Sequence, residues 1–226
     1  MSVLTVTQSM QQRKSVRAFS DRNVTREVLQ DLLETAARAP SGSNLQPWKV
    51  YAVTGEAKKQ LSQAIFTRAA EQPMGDTPDI RMYPEKMAEP WRQRRIDCGE
   101  TMYTALGISR DNKAARFEQG AKNLTFFDAP VGLIVTMDRS LSESQIMDVG
   151  IFVQSILLLA EERGLATCPQ AAWQMWSETI RKQLEISDNE MVMVGISLGY
   201  AATEEAAANI VQPRLSLQDF ASLHGF

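Results

Sequence analysis

A single histidine, His224, stands near the end of this 226-residue sequence. With one imidazole so placed, a Ser-His-Asp or Cys-His catalytic engine is not expected, and a His-rich metal site is excluded. Cysteine is almost as scarce. Cys98 and Cys168 cannot build a disulfide framework, and the pair points to a reducing compartment. Neither glycine-loop phosphate cradle occurs, since G-x-G-x-x-G and G-x-x-x-x-G-K-[ST] are both missing. A G-x-S-x-G elbow and a C-x-x-C are missing too. The carboxylates are plentiful but scattered, without metal-ligand spacing, so no metal is expected. No apolar run approaches the ~20 residues that cross a bilayer. The N-terminal stretch MSVLTVTQSMQQRKS lacks the apolar core of a signal peptide. A formal charge of −3 and a pI near 5.4 argue against a protein that lives on nucleic acid or anionic membrane. A soluble, cytoplasmic protein is expected, with its chemistry supplied by a bound cofactor rather than by a side-chain nucleophile.

What is present is an ordinary globular balance. Hydrophobic residues at 44% and charged residues at 23% exclude wholesale disorder, and the length fits one domain of moderate size or two small ones. Val28, Leu29, Leu32, Leu33 and Ala36 form a helical stripe that predicts a helix over Thr25–Arg38, capped by Thr25 and ended by Pro40 and Gly42. Trp48–Thr54 (WKVYAVT) predicts a strand, and Glu56–Glu71 a second helix. Val131–Met137 and Met191–Leu198 read as further strands, and Ser177–Ile186 as a shorter helix. Ser142-x-x-Gln145 has the form of a capping box opening a long helix, Glu143–Arg163, with Gly164 where a C′ glycine belongs. That helix carries Ile146, Val149, Phe152, Val153, Ile156, Leu157 and Ala160, which leaves little polar surface. It is a central helix, buried in the core or in a subunit interface. Residues 72–120 are broken by Pro73, Pro78, Pro84 and Pro90, yet hold Met82, Tyr83, Trp91, Tyr103 and Leu106. They predict a lid-like excursion with short helices, of the kind that covers a site. A few strands and several helices without regular βαβ alternation give a helix-rich α+β fold.

Four segments are candidates for binding. Arg13-Lys14-Ser15-Val16-Arg17 concentrates three cations and a hydroxyl, a set suited to phosphate or, alternatively, to a solvated basic turn. In Pro40-Ser41-Gly42-Ser43-Asn44-Leu45-Gln46-Pro47-Trp48, four polar side chains crowd a tight loop that could meet a polar ring edge or simply stop a helix. Gly164-Leu165-Ala166-Thr167-Cys168-Pro169-Gln170-Ala171-Ala172-Trp173 brings small residues and backbone against something flat, or is a packing loop. Gln212-Pro213-Arg214 adds one cation near the C-terminus.

Taken together and in order, these segments resemble the FMN-dependent nitroreductase family, in particular its nitrobenzoate-reductase-like members. The matching patterns are R-[RK]-S-x-R, P-S-x-x-N-x-Q-P-W and G-L-x-T-C-P-Q-A, with a late arginine. Asn123-Leu124-Thr125-Phe126-Phe127-Asp128-Ala129-Pro130-Val131-Gly132 resembles the family as well. The resemblance covers about residues 8–224. It implies an α+β fold with a central, mainly antiparallel sheet flanked by helices, as a single FMN-binding domain over 1–226 with the 72–120 excursion inserted. It further implies an intertwined homodimer with FMN at the interface. NADH or NADPH would be the electron donor, and a nitroaromatic, quinone or similar electron-poor small molecule the acceptor, in a ping-pong cycle. A non-catalytic FMN-binding store or sensor is the alternative.

Carried over residue by residue, the resemblance places Arg13, Lys14, Ser15 and Arg17 at the phosphate and ribityl end, with Arg214 completing the clamp. It places Pro40, Ser41, Ser43, Asn44 and Gln46 over the cofactor from the partner subunit, Asn123 at the pyrimidine edge, and Pro169, Gln170 and Ala171 along the ring. No side chain is expected to be catalytic in the strict sense. One departure stands out: Ala208-Asn209-Ile210-Val211-Gln212-Pro213-Arg214 lacks the extra basic residues that often precede the family's final arginine.

Overall fold

The computed structural model of the protein describes residues 4–226; residues 1–3, part of the stretch read above for a leader, lie outside it. Seven α-helices and four strands occur among the described residues. Helix α1 (Val6–Gln12) opens on a capping box between Thr5 and Gln8. Helix α2 (Arg26–Ala36) begins where the sequence predicts, with the Val28 N–H donating to the Thr25 hydroxyl. Strand β1 (Trp48–Thr54) has the expected bounds, and α3 (Gly55–Glu71) follows it directly. The excursion holds two helices, α4 (Trp91–Ala105) and α5 (Lys113–Ala121). Then come β2 (Val131–Asp138), α6 (Ser144–Glu162), β3 (Ala166–Gln170), α7 (Ser177–Leu184) and β4 (Glu190–Gly199).

The strands form one sheet in the order β1-β2-β4-β3, with every pairing antiparallel. Its two faces carry separate cores. Val131, Leu133, Val135 and Met137 of β2 and Ile196 and Leu198 of β4 pack with Leu32 of α2 and Val149, Phe152 and Ile156 of α6. Ile134 and Val192 face the other way, toward Leu61 and Ile65 of α3, Ile180 of α7, Phe126, Trp173 and Trp176. The alternation along β2 is the period-two pattern of a strand covered on both faces.

Three expectations need correction. Residues 166–170 of the small-residue segment are an edge strand, not a loop. Pro169 is tolerated there because the outer side of this edge strand is bridged only at Thr167 and is unpaired at the proline itself. The capping box before α6 is half formed: the Gln145 side chain accepts the Ser142 N–H at 3.1 Å, but no side chain caps the helix in return. Finally, α6 is 19 residues long and apolar enough to cross a membrane. Asp148, Gln154 and Ser155 interrupt its run of consecutive apolar residues without making the helix polar overall. Here it lies on the sheet, burying Asp148, Val149, Phe152, Ile156, Leu157 and Ala160.

The excursion is tied down at its start by two buried carboxylates. Asp76 accepts from Arg68 Nε at 2.9 Å and from the Thr179 N–H at 2.8 Å. Asp79 accepts from Arg139 at 2.5 Å, Arg181 at 2.7 Å and the Val192 N–H at 3.0 Å. Beyond these anchors α4 buries no residue, and Tyr83 and Trp91 remain exposed.

Candidate functional site

After α1 the chain turns extended and runs beside the edge strand β3. Ser15 and Thr167 form a parallel bridge, and the Val16 N–H donates to the Thr167 carbonyl at 2.9 Å. The Arg17 N–H donates to Ala207 at 3.1 Å, and Lys14 Nζ donates to Asn209 Oδ1, also at 3.1 Å. Asn209 is itself held, since its Nδ2 donates to the carbonyls of Thr203 and Glu205. Segments distant in sequence (13–17, 166–170 and 206–209) therefore meet on one edge of the sheet.

The cations there are half-buried, and none of Arg13, Lys14 and Arg17 has a carboxylate partner within 4.0 Å among the described residues. Arg17 donates instead to the Ser15 carbonyl and lies 6.0 Å from the Phe127 ring centroid. Glu161, at the end of α6, has its carboxyl pushed up by burial, partly offset by Lys14 and Arg13. Cys168 sits in the same strand. Burial pushes its thiol up to about 11, and Arg17 and Ser15 only partly counter this, so it stays protonated and is no nucleophile.

Asn123 reaches this edge from the irregular turn Lys122–Asp128, where Phe126, Phe127 and Asp128 are all left-handed, with φ of 56°, 51° and 61°. Three such non-glycine residues in a row hold only where packing over-determines them. Phe126 provides that packing by stacking on Trp173 with centroids 4.0 Å apart. Gly132 and Gly195 make room: a Cβ on Gly132 would lie 2.6 Å from Phe126, and one on Gly195 would lie 2.1 Å from Trp173. Gln170 Nε2 donates to the Asn123 carbonyl at 2.8 Å and to its Oδ1 at 3.2 Å. Pro169 and Ala171 flank Gln170 at the end of β3, and Ala171 is exposed.

The loop after α2 lies elsewhere. Ser43, Asn44 and Gln46 are left-handed and exposed, with Ser41 Oγ accepting the Gln46 N–H and Pro40 exposed beside them. The Gly42 N–H donates to the Asp148 carboxylate, one turn into α6. Asp148 and Glu161 are thirteen residues apart, about 20 Å along the helix axis. One chain thus presents the polar loop near one end of α6 and the cation cluster near the other. Arg214 is exposed and donates to the carbonyls of Gln212 and Pro213 on its own tail. That tail lies along α4, where Gln212 Nε2 donates to the Cys98 carbonyl. No hydrogen bond among the described residues ties the 211–226 tail to the 13–17 segment.

Three further residues belong here. Gln119, one helical turn before Asn123, is buried with its Nε2 lacking any partner among the described residues. Ser197 is fully buried and donates to Gln170 Oε1 at 2.6 Å. Asn209 anchors Lys14. In the sequence, Ser197 is marked only by being a lone hydroxyl in the apolar run MVMVGISL, and the other two carry no local signal. A polar groove between α3 and α7, lined by Gln60, Arg68, Glu71, Glu178 and Lys182, lies apart from all of them.

Three half-buried cations with no carboxylate within 4.0 Å and a single acid, Glu161, nearby, together with an aligned amide and an orphaned buried donor, fit an anionic ligand with a polar ring edge, as FMN is. Comparison with known proteins agrees. The nitroreductase family model matches residues 10–200. The chain is 36% identical to the nitrobenzene nitroreductase of Ectopseudomonas oleovorans, over 92% of either chain. It is 35% identical to a 4-nitrobenzoate reductase of Pseudomonas putida, over 95% of this chain and 93% of that one. The crystal structure of the FMN- and NADPH-dependent nitroreductase NfnB from Sphigopyxis sp. strain HMH superposes with a TM-score of 0.96 at 38% identity, covering 99% of this chain and all of that one. With its fold, its cation cluster and its sequence all in agreement, the chain belongs to the nitroreductase family.

Proposed function

We propose that this protein is an FMN-dependent oxidoreductase that passes reducing equivalents from NADPH or NADH to nitroaromatic, quinone or similar electron-poor acceptors. The observation that carries the reading is the convergence of Arg13, Lys14, Arg17, Asn123 and Gln170 on one sheet edge. FMN, when bound, supplies the two-electron chemistry that no side chain of this protein offers. Arg13, Lys14 and Arg17 neutralise its phosphate, with Ser15 as a neutral donor and Arg214 as the outer cation. Asn123 meets the pyrimidine edge, and Pro169, Gln170 and Ala171 line the ring. The loop holding Pro40, Ser41, Ser43, Asn44 and Gln46 covers the cofactor from a second copy of the chain. The roughly 20 Å between that loop and the cations along α6 supports a homodimer in which each site draws on both chains. One domain spans 1–226, with 72–120 as the lid over the acceptor, and the enzyme works in the cytoplasm.

Donor and acceptor share one ring face, because each has to stack on it for transfer. Initial rates against NADPH at several nitrobenzene concentrations test this, with parallel double-reciprocal lines expected. Intersecting lines overturn the shared face. A yellow protein whose flavin is not bleached by NADPH or NADH under argon overturns the enzyme reading in favour of a flavin store.

A further inference from the structure

The buried hydrogen bonds behind Asn123 have a direction. Gln170 Nε2 faces two oxygens, the carbonyl and Oδ1 of Asn123. Turning the Gln170 amide over would press Oε1 against both, so the donor end has to face Asn123. Its Oε1 then needs a donor, and the Ser197 hydroxyl supplies one at 2.6 Å from a fully buried position on β4. The consequence reaches Asn123. Its Oδ1 is committed to Gln170, so its Nδ2 must face away. One Nδ2 proton goes to the Gly120 carbonyl at 3.0 Å, which leaves the second for a ligand.

We propose that Ser197 is a positioning residue for the reaction. Through Gln170 it fixes the Asn123 carboxamide with a donor, not an acceptor, toward the cofactor edge. This rests on the FMN reading above. A donor at that edge favours the form of the ring that holds more electron density, so it raises the potential of the bound flavin. The relay is assembled from three elements, β4, β3 and the turn before β2, all buried or half-buried. It therefore presets the polarity of the site before any ligand arrives.

The test is the Thr and Val pair at Ser197. The two side chains match in shape, so any strain from the added methyl is common to both, and only Thr keeps the hydroxyl. In the FMN-loaded Ser197→Val protein, the two-electron-reduced cofactor is expected to bind about tenfold less tightly relative to the oxidised cofactor than in Ser197→Thr. That is a fall of about 30 mV in midpoint potential for a two-electron couple. Because Ser197 acts through Asn123, the Thr–Val difference is expected to vanish when Asn123 is also changed to Ala. Equal potentials in Ser197→Thr and Ser197→Val overturn the proposal. So does a difference that persists in the Asn123→Ala background, since that marks a merely structural effect. Failure of the FMN reading itself shows up separately, as wild-type protein that does not bind FMN in the same titration.

Discussion

Deleting residues 211–226 is expected to dissociate the proposed homodimer and release FMN together. Leu217, Phe220, Leu223 and Phe226 are 53%, 67%, 65% and 104% exposed on a single chain. That is equivalent to about three fully exposed apolar side chains, worth roughly 4–8 kcal/mol per tail once removed from water. Ordering the tail consumes part of this gain, so the lower figure is the safer guide. Even that corresponds to about a thousandfold in a dissociation constant. The cut falls after Ile210, which is buried at 4% exposure, so the in-chain contacts of Ala202, Ala208 and Asn209 survive and the chain is expected to fold. Light scattering across a concentration series, with the visible spectrum recorded on the same samples, reads both effects. A truncated protein that stays dimeric and yellow at wild-type concentrations refutes the idea that the tail is a strap carrying Arg214 to a second subunit.

If Arg13 and Arg214 hold the phosphate as proposed, Arg13→Ala and Arg214→Ala each remove a charge-assisted hydrogen bond and are expected to weaken FMN binding by about 10- to 100-fold, read by flavin fluorescence titration. Unchanged affinity in both variants removes the clamp. Burial alone would push the Asp79 carboxyl up, but Arg139, the Val192 N–H and Arg181 outweigh it and hold it below the ordinary value. Its stabilisation is present above the unfolded value near 3.9 and is lost as pH falls through the lower folded value. Asp79→Asn is therefore expected to cost on the order of 2–3 kcal/mol at pH 7 and to flatten the decline of Tm below about pH 4; a decline identical to wild type contradicts this. In the 72–120 excursion, Arg92 pairs with Glu89, whereas Arg94 has no carboxylate within 4.0 Å among the described residues and Arg95 lies over the Tyr83 ring at 4.4 Å. Neutralising all three is expected to lower the kcat/KM ratio of nitrobenzoate to nitrobenzene by roughly two- to fivefold, the modest scale of exposed charges. An unchanged ratio removes charge steering, in keeping with the eight basic and eight acidic residues that balance across 72–120.

What could be read from the sequence follows the range of the forces involved. Strand β1 was legible because WKVYAVT is a run of β-formers closed by Gly55, and α2 because Thr25 and a 3.6-residue stripe mark it locally. Strand β3 was not legible, since Ala-Thr-Cys-Pro-Gln has no alternation of its own and becomes a strand only because β4 offers it an edge. The candidate binding segments were legible as residue types in order, through family resemblance. Their assembly was not. The 13–17 segment meets β3 through one backbone bridge across 152 residues, and nothing near Ser15 announces Thr167. The relay behind Asn123 was hidden for the same reason, because each of its bonds joins elements far apart in the chain.

Phe126 and Trp173 sit in the two sheet glycines as a plug sits in its sockets, and this gives four scattered positions a common fate. Neither aromatic ring can be enlarged, and neither glycine can gain a methyl, without displacing the turn that carries Asn123. Shrinking a ring alone opens a void under that turn. For anyone reshaping the acceptor preference of this scaffold, Phe126, Gly132, Trp173 and Gly195 form one module, to be exchanged as a set or kept as it is, whereas the exposed helix that opens at Trp91 can be rewritten one residue at a time.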